Sequence, residues 1–267
     1  MRRSEKAETM LPYGLFGFSP FLVVIPLVFA VGTLVLFQGA ARAGIRWQRV
    51  VRLQLALSIV ALFGARGFSL LFDELGNPLD PGRSPITGGW RASGGILALV
   101  AALPVLRARL LPEVSLARCA DLLAPVTAAA LGVYRFQCLL AGCCGGAICT
   151  HFFCLSYAPG SEIWRNQLAS GQIDGTAWSA PAFPLHLAFM AVSLGTALYL
   201  WRRDPHRRFD GEVFLLFLVI HEGAKFLLEL LRVPASLVLE LSSLVPAIGA
   251  LALWAVLVTR RSPESAA

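Results

Sequence analysis

Three basic residues stand inside otherwise apolar runs: Arg66, Arg135 and Lys225. If those runs cross a bilayer, each charge costs at least about 2.5 kcal/mol at mid-membrane and needs an internal partner or a watered cavity. For Arg66, internal pairing or snorkelling near a helix end is an equal reading. Arg135 has no acid within helical reach, and its nearest polar neighbours are Tyr134 and Gln137. A guanidinium without a carboxylate suits an anionic ligand, because its planar fork takes two phosphate oxygens at once. A phospholipid is the phosphate source that a bilayer itself supplies.

A second cluster comprises His221, Glu222, Lys225, Glu229 and Arg232. Glu222 to Lys225 is i,i+3, Lys225 to Glu229 is i,i+4 and Glu229 to Arg232 is i,i+3. One helical stripe would carry an alternating-sign ladder. It reads as an interior salt-bridge ladder, or as the lining of a polar cavity in which His221, one turn above Lys225, accepts a proton.

All six cysteines fall within 36 residues: Cys119, Cys138, Cys143, Cys144, Cys149 and Cys154, with His151 among them. From Cys138 onward they are separated by four, zero, four and four residues, unlike the C-x2-C pairs of zinc or iron–sulfur sites. No metal ligand and no cofactor are therefore expected. Vicinal Cys143 and Cys144 do not pair with each other without strain. A bridge from one of them to Cys149 or Cys154 would staple the loop, and unpaired small hydrophobic cysteines are the other reading. A nucleophilic cysteine would need a lowered pKa, for which Arg135 is the nearby source.

These residues must be positioned by helices. Apolar runs near 19–41, 53–72, 92–106, 119–141, 179–201, 212–231 and 236–258 predict an all-α, polytopic membrane protein of about seven transmembrane helices. The run from Met10 to Ala41 is far longer than the core of a cleavable signal, so it reads as a retained first span. No repeat and no domain boundary is visible, which predicts a single integral membrane domain over 1–267. The polar stretch 142–178 forms its longest connection. Counting Lys and Arg by alternating loops gives thirteen on one side (Arg42, Arg46, Arg49, Arg52, Arg107, Arg109, Arg118, Arg202, Arg203, Arg207, Arg208, Arg260, Arg261). The other side has seven: Arg2, Arg3, Lys6, Arg83, Arg91, Arg165 and Arg232. The positive-inside rule puts the C-terminus in the cytoplasm, and the N-terminus and the Cys-rich loop 142–178 outside.

The composition agrees. Of 267 residues, 57% are hydrophobic and only 15% charged, and the mean hydropathy is +0.68. That excludes a soluble enzyme, a secreted disulfide scaffold and a disordered chain. The net charge of +7 comes in bursts between apolar runs rather than on one face, so no nucleic-acid partner is expected.

One stretch is more informative than composition. Asp121-Leu-Leu-Ala-Pro125, followed by Gly132-Val-Tyr-Arg135-Phe-Gln-Cys138-Leu-Leu-Ala-Gly142-Cys143-Cys144-Gly-Gly146, resembles the signature of the bacterial prolipoprotein diacylglyceryl transferase family, in which an arginine opens a G-R-x-G-N-F-x-N-G-E-x-x-G pattern. Three further features follow in the family's order. They are Gly64-Ala65-Arg66, then Gly88-Gly89-Trp90-Arg91-Ala92-Ser93-Gly94-Gly95, and finally Gly211-Glu-Val-Phe-Leu with Phe226-Leu-Leu-Glu229-Leu-Leu-Arg232-Val-Pro234. The resemblance covers about 60–234.

It implies a bacterial inner-membrane, multi-pass transferase that moves the diacylglyceryl group of phosphatidylglycerol to a lipobox cysteine. The implied partners are phosphatidylglycerol or another anionic phospholipid, the prolipoprotein signal peptide and the bilayer. A thiolate attacks a glyceryl carbon and glycerol phosphate leaves, a reaction that calls for arginines at the phosphate and a base at the thiol. The residues implied to bind substrate are Arg66, Gly94, Gly95, Arg135, Cys138, Gly146 and Arg232; those implied in catalysis are Arg135, His221 and Lys225. Several positions depart from the pattern. Lys225 stands at an arginine position, Ser93 at a histidine, Cys138 at the signature asparagine, Cys143 at its glutamate and His221 at a tyrosine. The H-P-S-Q-L-Y-E block appears as Phe183-Pro-Leu-His186-Leu-Ala-Phe189, so His186 fills its glutamine position, as an interior histidine or a replacement base. The alternatives are a non-catalytic phospholipid-binding membrane protein, or a membrane thiol protein whose Cys loop is redox-active or metal-binding.

Overall fold

The computed structural model describes residues 20–76, 92–175, 178–232 and 237–261. Arg2, Arg3, Lys6, Arg83, Gly88, Gly89, Trp90, Arg91 and Pro234 lie outside them. The regular structure of the described residues is helical: α1 (Pro20–Arg42), α2 (Trp47–Gly76), α3 (Ala92–Leu110), α4 (Leu116–Ala141), α5 (Glu162–Ala169), α6 (Leu185–Arg203), α7 (Glu212–Phe217), α8 (Gly223–Glu229) and α9 (Leu237–Arg261). A 3-10 turn, Asp204–His206, follows α6, and a π-helical turn, Leu218–Glu222, joins α7 to α8. The apolar stretches expected from the sequence lie largely on helices, but residues 179–184 are an irregular lead-in to α6, and 212–231 is divided into α7, the π-helical turn and α8. By length and composition, Val23–Arg42, Trp47–Phe68 and Leu116–Ala141 can each cross a membrane, while Ser243–Thr259 is a shorter apolar helix. Large apolar side chains, Phe63, Val100 and Val245 among them, are exposed on these helices, as expected where lipid is the solvent.

The chain divides into two compact units, one of Leu36–Ala120 and one of Met1–Val35 with Asp121–Ala267. In the 36–120 unit, α2 packs on α3 through a seam of small residues. A Cβ on Gly64 would lie 2.3 Å from that of Ala98, and one on Gly94 2.1 Å from that of Phe68. A Cβ on Gly95 would meet the Ala61 carbonyl oxygen at 2.9 Å. Glycine is what permits two membrane helices to approach this closely.

The other unit is built on α4, whose Ala124, Ala128 and Ala129 pack against Ala197 and Leu200 of α6 and Val213 and Phe217 of α7. One end of this core is closed by buried carboxylates. Asp121, fully buried, accepts the Gly211 N–H at 2.7 Å and the Phe214 N–H at 2.9 Å, so a side chain of α4 caps the start of α7. Glu212, also fully buried, accepts from Arg203 at 2.7 Å and from the Arg208 N–H.

Candidate functional site

The other polar concentration of this unit is assembled where α4 ends. Gly142 takes a φ of +58°, its N–H donates to Leu139 at 3.3 Å, and the Cys143 N–H donates to Cys138 at 3.1 Å. These two bonds define a Schellman cap, with Gly142 in the left-handed position. The motif brings the residue two past the helix end over the residue three before it, here Cys143 over Cys138. Cys144 follows with a φ of +57°. The sulfurs of Cys138, Cys143 and Cys144 lie within 4.8 Å of one another, with Cys144 to Cys138 at 4.0 Å.

The disulfide forms elsewhere. Cys149 is bonded to Cys154, while Cys119, Cys138, Cys143 and Cys144 are free. A bridge from Cys143 or Cys144 to Cys149 or Cys154 is therefore corrected: the helix cap turns the vicinal pair inward, towards Cys138.

The thiols differ in acidity. Cys144 is held far below the usual thiol range by hydrogen bonds from Cys138 and Cys143, helped by the charges of Arg232 and Arg135. Cys143 is pushed up by its hydrogen bonds to Cys138 and Cys144. The two shifts run in opposite directions within one hydrogen-bonded trio.

Arg135 and α6 form the adjoining wall. The Arg135 guanidinium lies over the Phe189 ring, 4.3 Å from its centroid. Among the described residues, no carboxylate forms an ion pair with Arg135. Three residues before Phe189 stands His186, fully buried beside the Cys143 backbone. It packs edge-on against Tyr157, ring centroids 5.9 Å apart. The buried Tyr157 hydroxyl lacks a described partner, as does Gln137 Oε1. Burial pushes the Tyr157 phenol up to about 12. Unpartnered buried polar atoms are costly, and a group of them marks where a ligand or water supplies the missing bonds.

Four residues beyond Phe189, Ser193 continues the same face of α6. Its hydroxyl is 3.1 Å from His221 Nε2, and His221 Nδ1 is 3.1 Å from Glu222 Oε1. Glu222 Oε2 is 3.3 Å from Lys225 Nζ. His221 and Glu222 lie in the π-helical turn, a distortion frequent at functional positions. Arg232 pairs with buried Glu229 at 2.7 Å. The expected ladder is thus broken into two ion pairs, Glu222–Lys225 and Glu229–Arg232. Lys225 and Glu229 do not pair, because Glu229 turns inward to meet Arg232.

Gly146 joins the loop to both flanking segments. Its N–H donates to Phe183, the Ala147 N–H donates to Leu231, and a Cβ on Gly146 would sit 3.0 Å from the Leu231 carbonyl oxygen. The structure therefore brings together Arg135, Cys138, Gly146, His186, His221, Lys225 and Arg232 within one unit. Arg66, half-buried on α2, and Gly94 and Gly95, in the α2–α3 seam, belong to the other unit. The side chain of Ser93 lies outside the described ones. Sequence reasoning missed Ser193, Tyr157 and Phe189. The i, i+3, i+7 spacing of His186, Phe189 and Ser193 was the available signal for one shared face.

The fold and site define a helical membrane protein in which an arginine without a carboxylate partner among the described residues borders a buried, partly unsatisfied polar cluster. Residues 13–259 match the family described as prolipoprotein diacylglyceryl transferase, and the chain belongs to that family. Its members are membrane proteins that act on prolipoproteins and phospholipid. No curated protein matches the chain.

Proposed function

We propose that the chain transfers the diacylglyceryl group of phosphatidylglycerol to the lipobox cysteine of a prolipoprotein in the bacterial inner membrane. The observation that carries this reading is Arg135, which has the Phe189 ring against it and no carboxylate partner among the described residues. The ring holds the plane of the guanidinium, and its N–H groups take the lipid phosphate, whose charge grows as glycerol phosphate leaves. Cys138, Gly146 and Arg232 complete the lining on the loop side.

His221 is the base for the acceptor thiol. Glu222 accepts its Nδ1–H and fixes the tautomer, leaving Nε2 to accept through the Ser193 hydroxyl. Lys225 acts through Glu222, as its counter-ion. The remaining spans, with the N-terminus and the 142–178 loop outside, follow the thirteen-to-seven charge asymmetry. A reporter after Ala267 is expected to read cytoplasmic and one within 155–175 external; the reverse would overturn the topology.

The direct test is transfer of labelled diacylglycerol from phosphatidylglycerol to a lipobox peptide by the purified protein. A labelled peptide supports the reading. Lipid binding without transfer would leave a non-catalytic lipid-binding protein.

A further inference from the structure

We propose that Cys138, Cys143 and Cys144 form a binding site for one soft divalent metal ion, zinc in the first instance, with a coordination position left open to an incoming thiol. The geometry comes first. Zinc–sulfur bonds of about 2.3 Å place the sulfurs of a tetrahedral or trigonal site about 3.8–4.0 Å apart. Cys144 and Cys138 stand at 4.0 Å, and all three sulfurs lie within 4.8 Å. The backbone builds this spacing: the helix cap sets Cys143 over Cys138, and the left-handed Cys144 turns its sulfur to the same point. A nearby pair in the same loop, Cys149 and Cys154, is oxidised to a disulfide, whereas these three remain thiols.

The surroundings suit such an ion. A divalent metal on three thiolates carries one net negative charge, and Arg135 and Arg232 both act electrostatically on Cys144. Cys138 is buried while Cys143 and Cys144 are half-buried, so the site has a dry floor and an accessible side. On the α6 side, His186 is fully buried, and the charges of Cys144 and Arg135 reach it.

Three protein ligands with one vacant position is the pattern of catalytic zinc, and a thiol that coordinates zinc loses its proton. The role of the metal rests on the transferase reading; the metal site itself does not. The acceptor S–H binds the open position and its proton passes to His221, the base of that reading. Its thiolate then forms the S–C bond at the glyceryl carbon, and the C–O bond to phosphate breaks, with glycerol phosphate leaving with the electron pair. The metal is neither oxidised nor reduced.

The test uses the full-length protein, purified metal-free with its Cys149–Cys154 disulfide intact. Titration with zinc, read by elemental analysis, and with cadmium, read by thiolate-to-metal absorption, should each give one ion per chain. Cys138→Ser and Cys144→Ser should each weaken binding about 100-fold or more, as expected for lost first ligands compared with the 10–100-fold of outer partners. Cys119→Ser should leave it unchanged. Retained thermal stability separates a lost ligand from a lost fold. No bound metal with three labelled thiols, a disulfide between two of the three, or full binding in the triple serine variant would each overturn the site. Cobalt-loaded protein should then change its spectrum when lipobox peptide is added. An unchanged spectrum overturns thiol activation and leaves the metal site standing. Absence of lipid transfer from metal-loaded protein instead counts against the transferase reading.

Discussion

Two groups of buried polar residues in the unit that holds most of α4 are treated in opposite ways. Around Asp121 and Glu212 the carboxylate oxygens meet backbone or arginine donors. Around Cys144 and His186, the buried Tyr157 hydroxyl has none among the described residues, and Arg135 lies against a ring instead of an acid. Since an unmet buried polar atom costs about 1–3 kcal/mol, the first place reads as construction and the second as a vacancy kept for a ligand. Polar burial alone does not mark a site; unsatisfied polar burial does.

The contrast is broken most severely at its satisfied end. Asp121→Asn removes the charge from two buried hydrogen bonds and turns an amide N–H₂ towards backbone donors. We expect a loss of about 3 kcal/mol of stability in detergent, with phosphatidylglycerol affinity unchanged in the protein that remains folded. Chemical denaturation and lipid binding on the same sample measure both.

At the unsatisfied end, the hydrogen bonds and cationic neighbours that lower the Cys144 pKa make its thiolate persist as pH falls. An ordinary thiol with a pKa near 8.5 alkylates about tenfold more slowly for each pH unit below that value. Cys144 in metal-free protein should keep its rate between pH 8 and pH 6, about 100-fold faster than a normal thiol at the lower value. Mass-spectrometric mapping of the alkylated residue against pH checks this. A tenfold fall per unit would contradict the lowered pKa of Cys144.

A smaller effect sharpens the same comparison. Tyr157→Phe deletes a buried hydroxyl without a described partner, so stability should hold or rise by up to about 1 kcal/mol. The Asp121 end has no substitution of that kind.

Local features were legible in the sequence. Apolar runs marked the long helices, though not α5 or the break between α7 and α8, and Gly44, with a φ of +67°, stands where α1 gives way to α2. Arg135 was readable because nothing acidic stands three or four residues away. The thiol cluster was legible in principle: Gly142 after an apolar run is a cap signal, and its cap joins Cys138 to Cys143. It was missed because the cysteine spacings were compared with ligand pairs rather than with the helix end. The contact of Asp121 with Gly211 and Phe214 spans some 90 residues, and no local period encodes it. The same is true of Ser193 and His221, 28 residues apart, which only the packing of α6 against the π-helical turn unites.

The central claim is that Arg135 holds a lipid phosphate at the unsatisfied end, and Arg135→Lys and Arg135→Gln test it most directly when phosphatidylglycerol affinity and stability are measured on the same preparations. Lysine keeps the charge and loses the fork, so affinity should fall about ten- to a hundredfold. Glutamine should lower it further. Stability should move by no more than about 1 kcal/mol, because the lost cation–π contact with Phe189 opposes the relief of burying one charge fewer. Full lipid affinity in Arg135→Gln, with or without a loss of folded yield, would contradict the account.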